Sequence, residues 1–205
     1  MPQFQWSTEP TDLIRPFEVR YNAPDAGALF AWASKAVEEI YYLNDIDLTF
    51  EASGQTIGNH NPDVVDLAHA RWATGTCITA LDLCAAAFGR TFCGHTSNRE
   101  MDMSFFDKAG RYKQEATQRR KQLPATALAW IDGVLIDTEY MQTKSARNWL
   151  THSRVTRHFK LGPDSRQRLR LSIDGHKIPV RQVIETARGV AVHHISAVLK
   201  VLPTL

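Results

Sequence analysis

The chain has 205 residues, 43% of them hydrophobic and 22% charged, an ordinary globular composition that argues against intrinsic disorder and leaves room for one domain with a sizeable core rather than two. Three cysteines, an odd number, fit a reducing compartment better than a disulfide framework. The net charge of +2 hides an uneven distribution: residues 1–143 hold 12 Lys/Arg against 19 Asp/Glu, a net of −7, while residues 144–205 hold 12 against 3, a net of +9.

That asymmetry points to a polyanionic partner, a nucleic acid or an acidic protein, with a merely solvated basic face as the plain alternative. The N-terminal MPQFQWSTEP lacks a basic start followed by an apolar run. No stretch reads as the roughly 18 apolar residues a membrane span needs. The expected location is therefore cytoplasmic, with no membrane partner.

Residues 1–24 contain Pro2, Pro10, Pro16 and Pro24 among scattered apolar residues. They predict an irregular arm, with a short strand over 17–21. A domain over 25–205 follows. From Pro24 and Asp25 a long helix is predicted, because Leu29, Trp32, Ala33, Ala36, Val37, Ile40 and Leu43 recur at intervals of three and four. Residues 45–60, with Gly54, Gly58 and Asn59, predict a connection holding a small hairpin at 52–55. Asn61 as N-cap, Pro62 at the first helical position and Asp63 in the first turn then open a second helix, expected to stop at Gly89.

The second half of that helix, CITALDLCAAAF, is nearly all small and apolar, and Asp82 interrupts it. A carboxylate there either occupies a narrow polar edge or pairs with a buried donor; beside Arg147 or His152 it would orient them. Cys77 and Cys84 suit small core positions. Cys93 and His95 have no second pair at metal-site spacing, so no metal is expected. Residues 89–124 are the least patterned, with an apolar knot at Phe105 and Phe106, a basic run over Arg119, Arg120 and Lys121, and room for one short helix.

Pro124 introduces a third long helix, expected from Ala125 to Arg157, with Leu128, Ile131, Leu135, Thr138 and Gln142 along one face. Near its end Arg147, Asn148 and His152 spell R-N-x-x-x-H. On a helix, Asn148 and His152 lie one turn apart on the same face, and Arg147 sits on its shoulder. A guanidinium grips phosphate through two parallel hydrogen bonds, an imidazole moves protons near neutral pH, and an amide orients either group. Those parts suffice for metal-free RNA cleavage by attack of the 2′-hydroxyl on the adjacent phosphate. A looser copy, Arg90 and His95, falls between two glycines, so spacing alone decides little.

Beyond the motif, Leu169, Leu171 and Ile173 alternate up to Asp174-Gly175, the strongest short hairpin signal. The hairpin carries Arg166, Arg168, Arg170 and Lys177. A last helix follows over 180–202, its stripe including His194, which suits a satisfied core histidine. The expected fold is mainly α: a helical bundle of four long helices with a small β-hairpin insert before the last helix.

This arrangement resembles the HEPN domain family (higher eukaryotes and prokaryotes nucleotide-binding), on R-N-x-x-x-H near the end of the third core helix and the hairpin-like insert before the last. The resemblance implies a homodimer whose two motifs face each other across a two-fold axis. It also implies a metal-independent endoribonuclease of a toxin–antitoxin, defence or RNA-processing system, needing no cofactor. On that analogy His152 would transfer protons or orient the 2′-hydroxyl, Arg147 would hold the phosphate and Asn148 would support the site; Asp82 matches no family position and would back the site only through the buried pairing read from its own surroundings. From the charge pattern rather than the resemblance, Lys144, Arg154, Arg157, Arg168 and Arg170 are the cations expected along an RNA path; the resemblance adds a cognate antitoxin protein as a further partner. Family members that lack activity imply the alternative, a non-catalytic module binding a nucleotide, RNA or protein partner.

Overall fold

A computed structural model of the chain describes residues 4–53, 62–94, 102–152, 170–173 and 175–205. It is mainly helical, with one two-stranded antiparallel hairpin before the last helix. Its helices are α1 (Pro10–Tyr21), α2 (Pro24–Ser53), α3 (Pro62–Cys93), α4 (Lys113–Arg120), α5 (Ala125–Ile136), α6 (Thr138–His152) and α7 (Val180–Val201). A 3-10 turn, Met103–Phe106, precedes α4, and strands β1 (Arg170–Ile173) and β2 (His176–Pro179) precede α7.

Three helices, α2, α3 and α7, are long, not the four expected, because the predicted third one is broken at Asp137. The break is local chemistry. Asp137 adopts an extended conformation (φ −70°, ψ 119°). Its Oδ1 accepts the Glu139 N–H at 2.8 Å, so it caps a new helix where an uncapped residue would continue the old one. The same carboxylate accepts the His194 Nε2–H at 2.7 Å. Burial alone would raise the Asp137 carboxyl, but hydrogen bonds from His194, Glu139 and Tyr140 hold it below its usual range. Burial likewise pushes the His194 imidazole below its usual range against the pull of Asp137. A neutral imidazole donating to an ionised carboxylate satisfies both directions. Asp137→Ala removes a cap and strands the buried His194, so chemical denaturation should show a loss of about 2–3 kcal/mol. Asp137→Asn, which can still cap, should lose less; equal losses would mean the cap contributes nothing.

The N-terminal arm is not irregular: residues 10–21 form α1. Pro10, Ile14 and Phe17 are buried at helical spacing, and Tyr21 continues the series, its hydroxyl donating to the Leu205 carbonyl at 2.6 Å. Pro16 breaks one internal hydrogen bond but lies on the exposed side, so burial of its neighbours outweighs it. Asn22, at φ 47°, ends the helix in the left-handed conformation. The expected connection at 45–60 is helical as far as Ser53. The N-cap Asn61 lies outside the described residues.

The core sits around α3, which packs against α2, α7 and α6. Ala73, Ala80, Ala85 and Ala87 are fully buried, small enough to let neighbouring helices approach closely. By length and composition the stretch Val65–Cys93 could cross a membrane, contrary to expectation; its apolarity serves this central packing. Gly89 does not stop α3, which continues to Cys93 and ends before Gly94 at φ 64°. Trp32, expected in the core stripe of α2, is 63% exposed; Leu29, Phe30, Ala33, Val37 and Ile40 turn inward instead.

The hairpin forms as the sequence predicts. Leu171 pairs with Ile178 and Ser172 with Lys177, and the last pair, Ile173 with His176, leaves a two-residue loop. Gly175 in that loop has φ 82°, and Asp174 lies outside the described residues. Since a Cβ on Gly175 would meet nothing within 4 Å, Gly175→Ala should cost only the backbone term, about 1 kcal/mol. Gly175→Asn should cost less, because asparagine tolerates positive φ. Thermal unfolding of the two variants checks the order.

Candidate functional site

The α6 helix turns Tyr140, Thr143, Ala146 and Leu150 into the core. Asn148 and His152 therefore emerge on the opposite side, while Arg147, one turn after Thr143 and one before Leu150, emerges at the margin of the buried face; all three are exposed. The Arg147 Nη1 donates to Asn148 Oδ1 at 3.2 Å, so the amide steadies the guanidinium and leaves its own N–H groups available. Asn148 and His152 are one turn apart on the same face. His152 is the last residue of α6. Among the described residues no hydrogen bond orients its ring. Lys144 stands one turn before Asn148, its Nζ 5.8 Å from the centroid of the Tyr140 ring.

One residue beside this site carried no sequence signal. Arg71, on α3, donates from Nε to the Leu150 carbonyl at 3.0 Å, reaching a carbonyl in the last turn of α6. The bond spans 79 residues of sequence, and nothing local in AHARWATG announces it.

Asp82 lies farther along the same seam. The Met103 N–H donates to its Oδ1 at 2.9 Å, so it has found a buried donor, from the turn over 103–106. Burial pushes its carboxyl up to about 6; the Met103 bond and the fields of Lys144 and Arg147 oppose the rise, and Asp102 adds to it. Asp82 also raises the Tyr140 hydroxyl, whose shift comes mainly from burial. The Arg71 bond to Leu150 and the Asp82 couplings to Tyr140 and Lys144 describe an antiparallel α3–α6 seam. Lys144 and His152 are eight residues apart, roughly 12 Å along the axis at 1.5 Å per residue. Asp82 therefore lies toward Lys144 and Arg147 rather than His152, and Arg71 is the α3 residue that reaches α6 at Leu150, two residues before His152.

The turn that supplies Met103 is itself held in place. Asp102 Oδ1 accepts the Ser104 N–H at 2.7 Å. Arg119 lies 4.8 Å from the Phe105 ring centroid, and Phe105 stacks on Tyr112 at 4.4 Å. Arg120 is buried, donates to the Phe106 carbonyl at 3.2 Å and pairs with Asp132. The basic run over 119–121 is thus partly structural.

Of the cations expected along an RNA path, Arg154, Arg157 and Arg168 lie outside the described residues. Arg170 is exposed, as is Lys177; Leu171 and Ile173 turn the other face of β1 into the core. A narrow crevice between the hairpin, α6 and α7 is lined by uncharged residues, among them Gln142, Thr143, Gln182 and Thr186. It offers no charge to a phosphate, whereas the exposed face of α6 does. Cys77 and Cys84 are core residues whose thiols burial pushes far up. Among the described residues, no group of three or more His, Cys, Asp or Glu is placed to hold a metal ion. No protein-family model, no curated protein and no solved structure matches this chain.

Proposed function

We propose that the chain is a metal-independent endoribonuclease of the HEPN type. The observation that carries this reading is the Arg147–Asn148 hydrogen bond on the exposed face of α6, one turn before His152. It gives a steadied guanidinium within one helical turn of an exposed imidazole. In the proposed reaction the 2′-hydroxyl oxygen attacks the adjacent phosphorus and the bond to the 5′-oxygen breaks. The products are a 2′,3′-cyclic phosphate and a 5′-hydroxyl. Arg147 binds the non-bridging oxygens and their developing charge, His152 transfers a proton, and Asn148 holds Arg147 in register.

One imidazole cannot take a proton from the nucleophile and give another to the leaving oxygen at the same moment. A homodimer that brings two His152 rings to one phosphate resolves this, and its two-fold symmetry would make the interface self-complementary. The +9 charge of residues 144–205 supports RNA as the polyanion. A setting in toxin–antitoxin or defence systems, with a cognate antitoxin protein as partner, extends the same resemblance.

The absence of a hydrogen bond orienting His152 among the described residues favours the second reading, a module that binds RNA, a nucleotide or a protein without cutting. One experiment separates them: purified protein is incubated with a mixed RNA pool in chelator and the fragment ends are read. Fragments ending in cyclic phosphate are expected. Saturable RNA binding with intact RNA would establish the second reading instead.

A further inference from the structure

The guanidinium of Arg71 is held by a bond from Nε to the Leu150 carbonyl. A guanidinium has five N–H donors in a planar fork, and among the described residues Arg71 makes no other hydrogen bond or ion pair. Arg71 is exposed, and its bond places it at the Leu150 carbonyl, two residues before His152 and three after Arg147. The location has an electrostatic reason to need a cation. The last carbonyls of a helix carry partial negative charge and repel an anion. A phosphate at His152 would meet that repulsion, and Arg71 covers one of those carbonyls while adding a positive charge.

We propose that Arg71 is a second phosphate-binding residue of the α6 site, keeping Nε on Leu150 and presenting its Nη1–Nη2 edge to the phosphate next to the one held by Arg147. This assignment rests on the reading of that face as an RNA site. The α3 helix thereby contributes to substrate binding, not only to the core. The Nε bond restrains the side chain before the ligand arrives, so binding has less of it to freeze.

The test uses the full chain and a fluorescent, fully 2′-O-methylated oligoribonucleotide of mixed sequence, which cannot be cut by 2′-hydroxyl attack. Affinity is measured between 50 and 200 mM salt for wild type, Arg71→Gln and Arg71→Lys. Each lost single-strand phosphate contact reduces the slope of log K against log salt by about 0.7, a factor of about 2.6 across that range. Arg71→Gln is expected to show that reduction while remaining folded at the assay temperature. Arg71→Lys is expected to keep the slope but bind more weakly, because an ammonium cannot hold Leu150 and grip a phosphate with a fork. A wild-type slope in Arg71→Gln would reduce Arg71 to a helix cap and overturn the proposal while leaving the RNA reading intact. If Arg71→Gln fails to fold, Arg71→Lys decides: weaker binding at unchanged slope supports the proposal, and wild-type affinity overturns it. Failure of the wild type itself to bind would remove the RNA reading and this assignment with it.

Discussion

His152→Ala is expected to lower the rate of RNA cleavage by a factor of about 10²–10⁴, the usual contribution of a positioned proton-transfer group, equivalent to about 3–5 kcal/mol of barrier. The fold should barely respond. His152 is exposed at the last position of α6 and, among the described residues, makes no hydrogen bond, and such surface changes usually move stability by no more than about 0.5 kcal/mol. Single-turnover rates in chelator, set beside melting curves, separate the two effects. Arg147→Ala should lose a comparable factor, and Arg147→Lys should not restore it, because an ammonium lacks the bidentate fork. Folded His152→Ala and Arg147→Ala proteins that cut RNA at the wild-type rate would remove this mechanism. A mixed dimer of wild-type and His152→Ala chains adds a sharper readout. If both rings serve one phosphate, the mixed dimer should be nearly as slow as the double variant; independent sites would leave it half as active.

What was legible in the sequence was whatever depends on near neighbours. The hairpin followed from Asp174-Gly175 between alternating residues, the start of α3 from Pro62, and the core position of His194 from its place in the stripe of α7. The break at Asp137 escaped because Leu128, Ile131, Leu135, Thr138 and Gln142 keep helical spacing across it. Only the carboxylate's bond to the Glu139 N–H and its link to His194, 57 residues away, reveal it. The first helix was missed because four prolines outweighed the Pro10, Ile14, Phe17, Tyr21 series. Gly89 misled for the opposite reason: it is buried inside a helix whose packing overrides a local stop signal. At the site, the motif was readable because its residues are within six positions of one another. Arg71 at Leu150 and Met103 at Asp82 were not, since contacts across 79 and 21 residues have no local pattern.

Asp82→Asn is expected to make the protein more stable at neutral pH. The folded chain holds the Asp82 carboxyl at about 6 against an ordinary value of 3.8. Between those values the folded state keeps a proton that the unfolded state has lost, so stability falls as pH rises through this window. Below the lower value the carboxyl is protonated in both states and the penalty is absent. Above about 6 the penalty is complete, and a shift of about two units corresponds to roughly 3 kcal/mol. Asparagine keeps an oxygen for the Met103 N–H and carries no charge to desolvate, so the variant should recover about 2–3 kcal/mol at pH 7 and little at pH 4. Urea unfolding at both pH values checks this. A variant no more stable than wild type at pH 7, or equally stabilised at both, would show that the carboxylate is compensated where it stands. If the gain appears, Asp82 destabilises the fold at neutral pH, as functional groups often do. The surroundings named by its shift are Lys144, Arg147 and the turn over 103–106, so its effect on function should be sought there. Neutralising it should strengthen the hold of those two cations on phosphate, because they would no longer share their field with a buried anion.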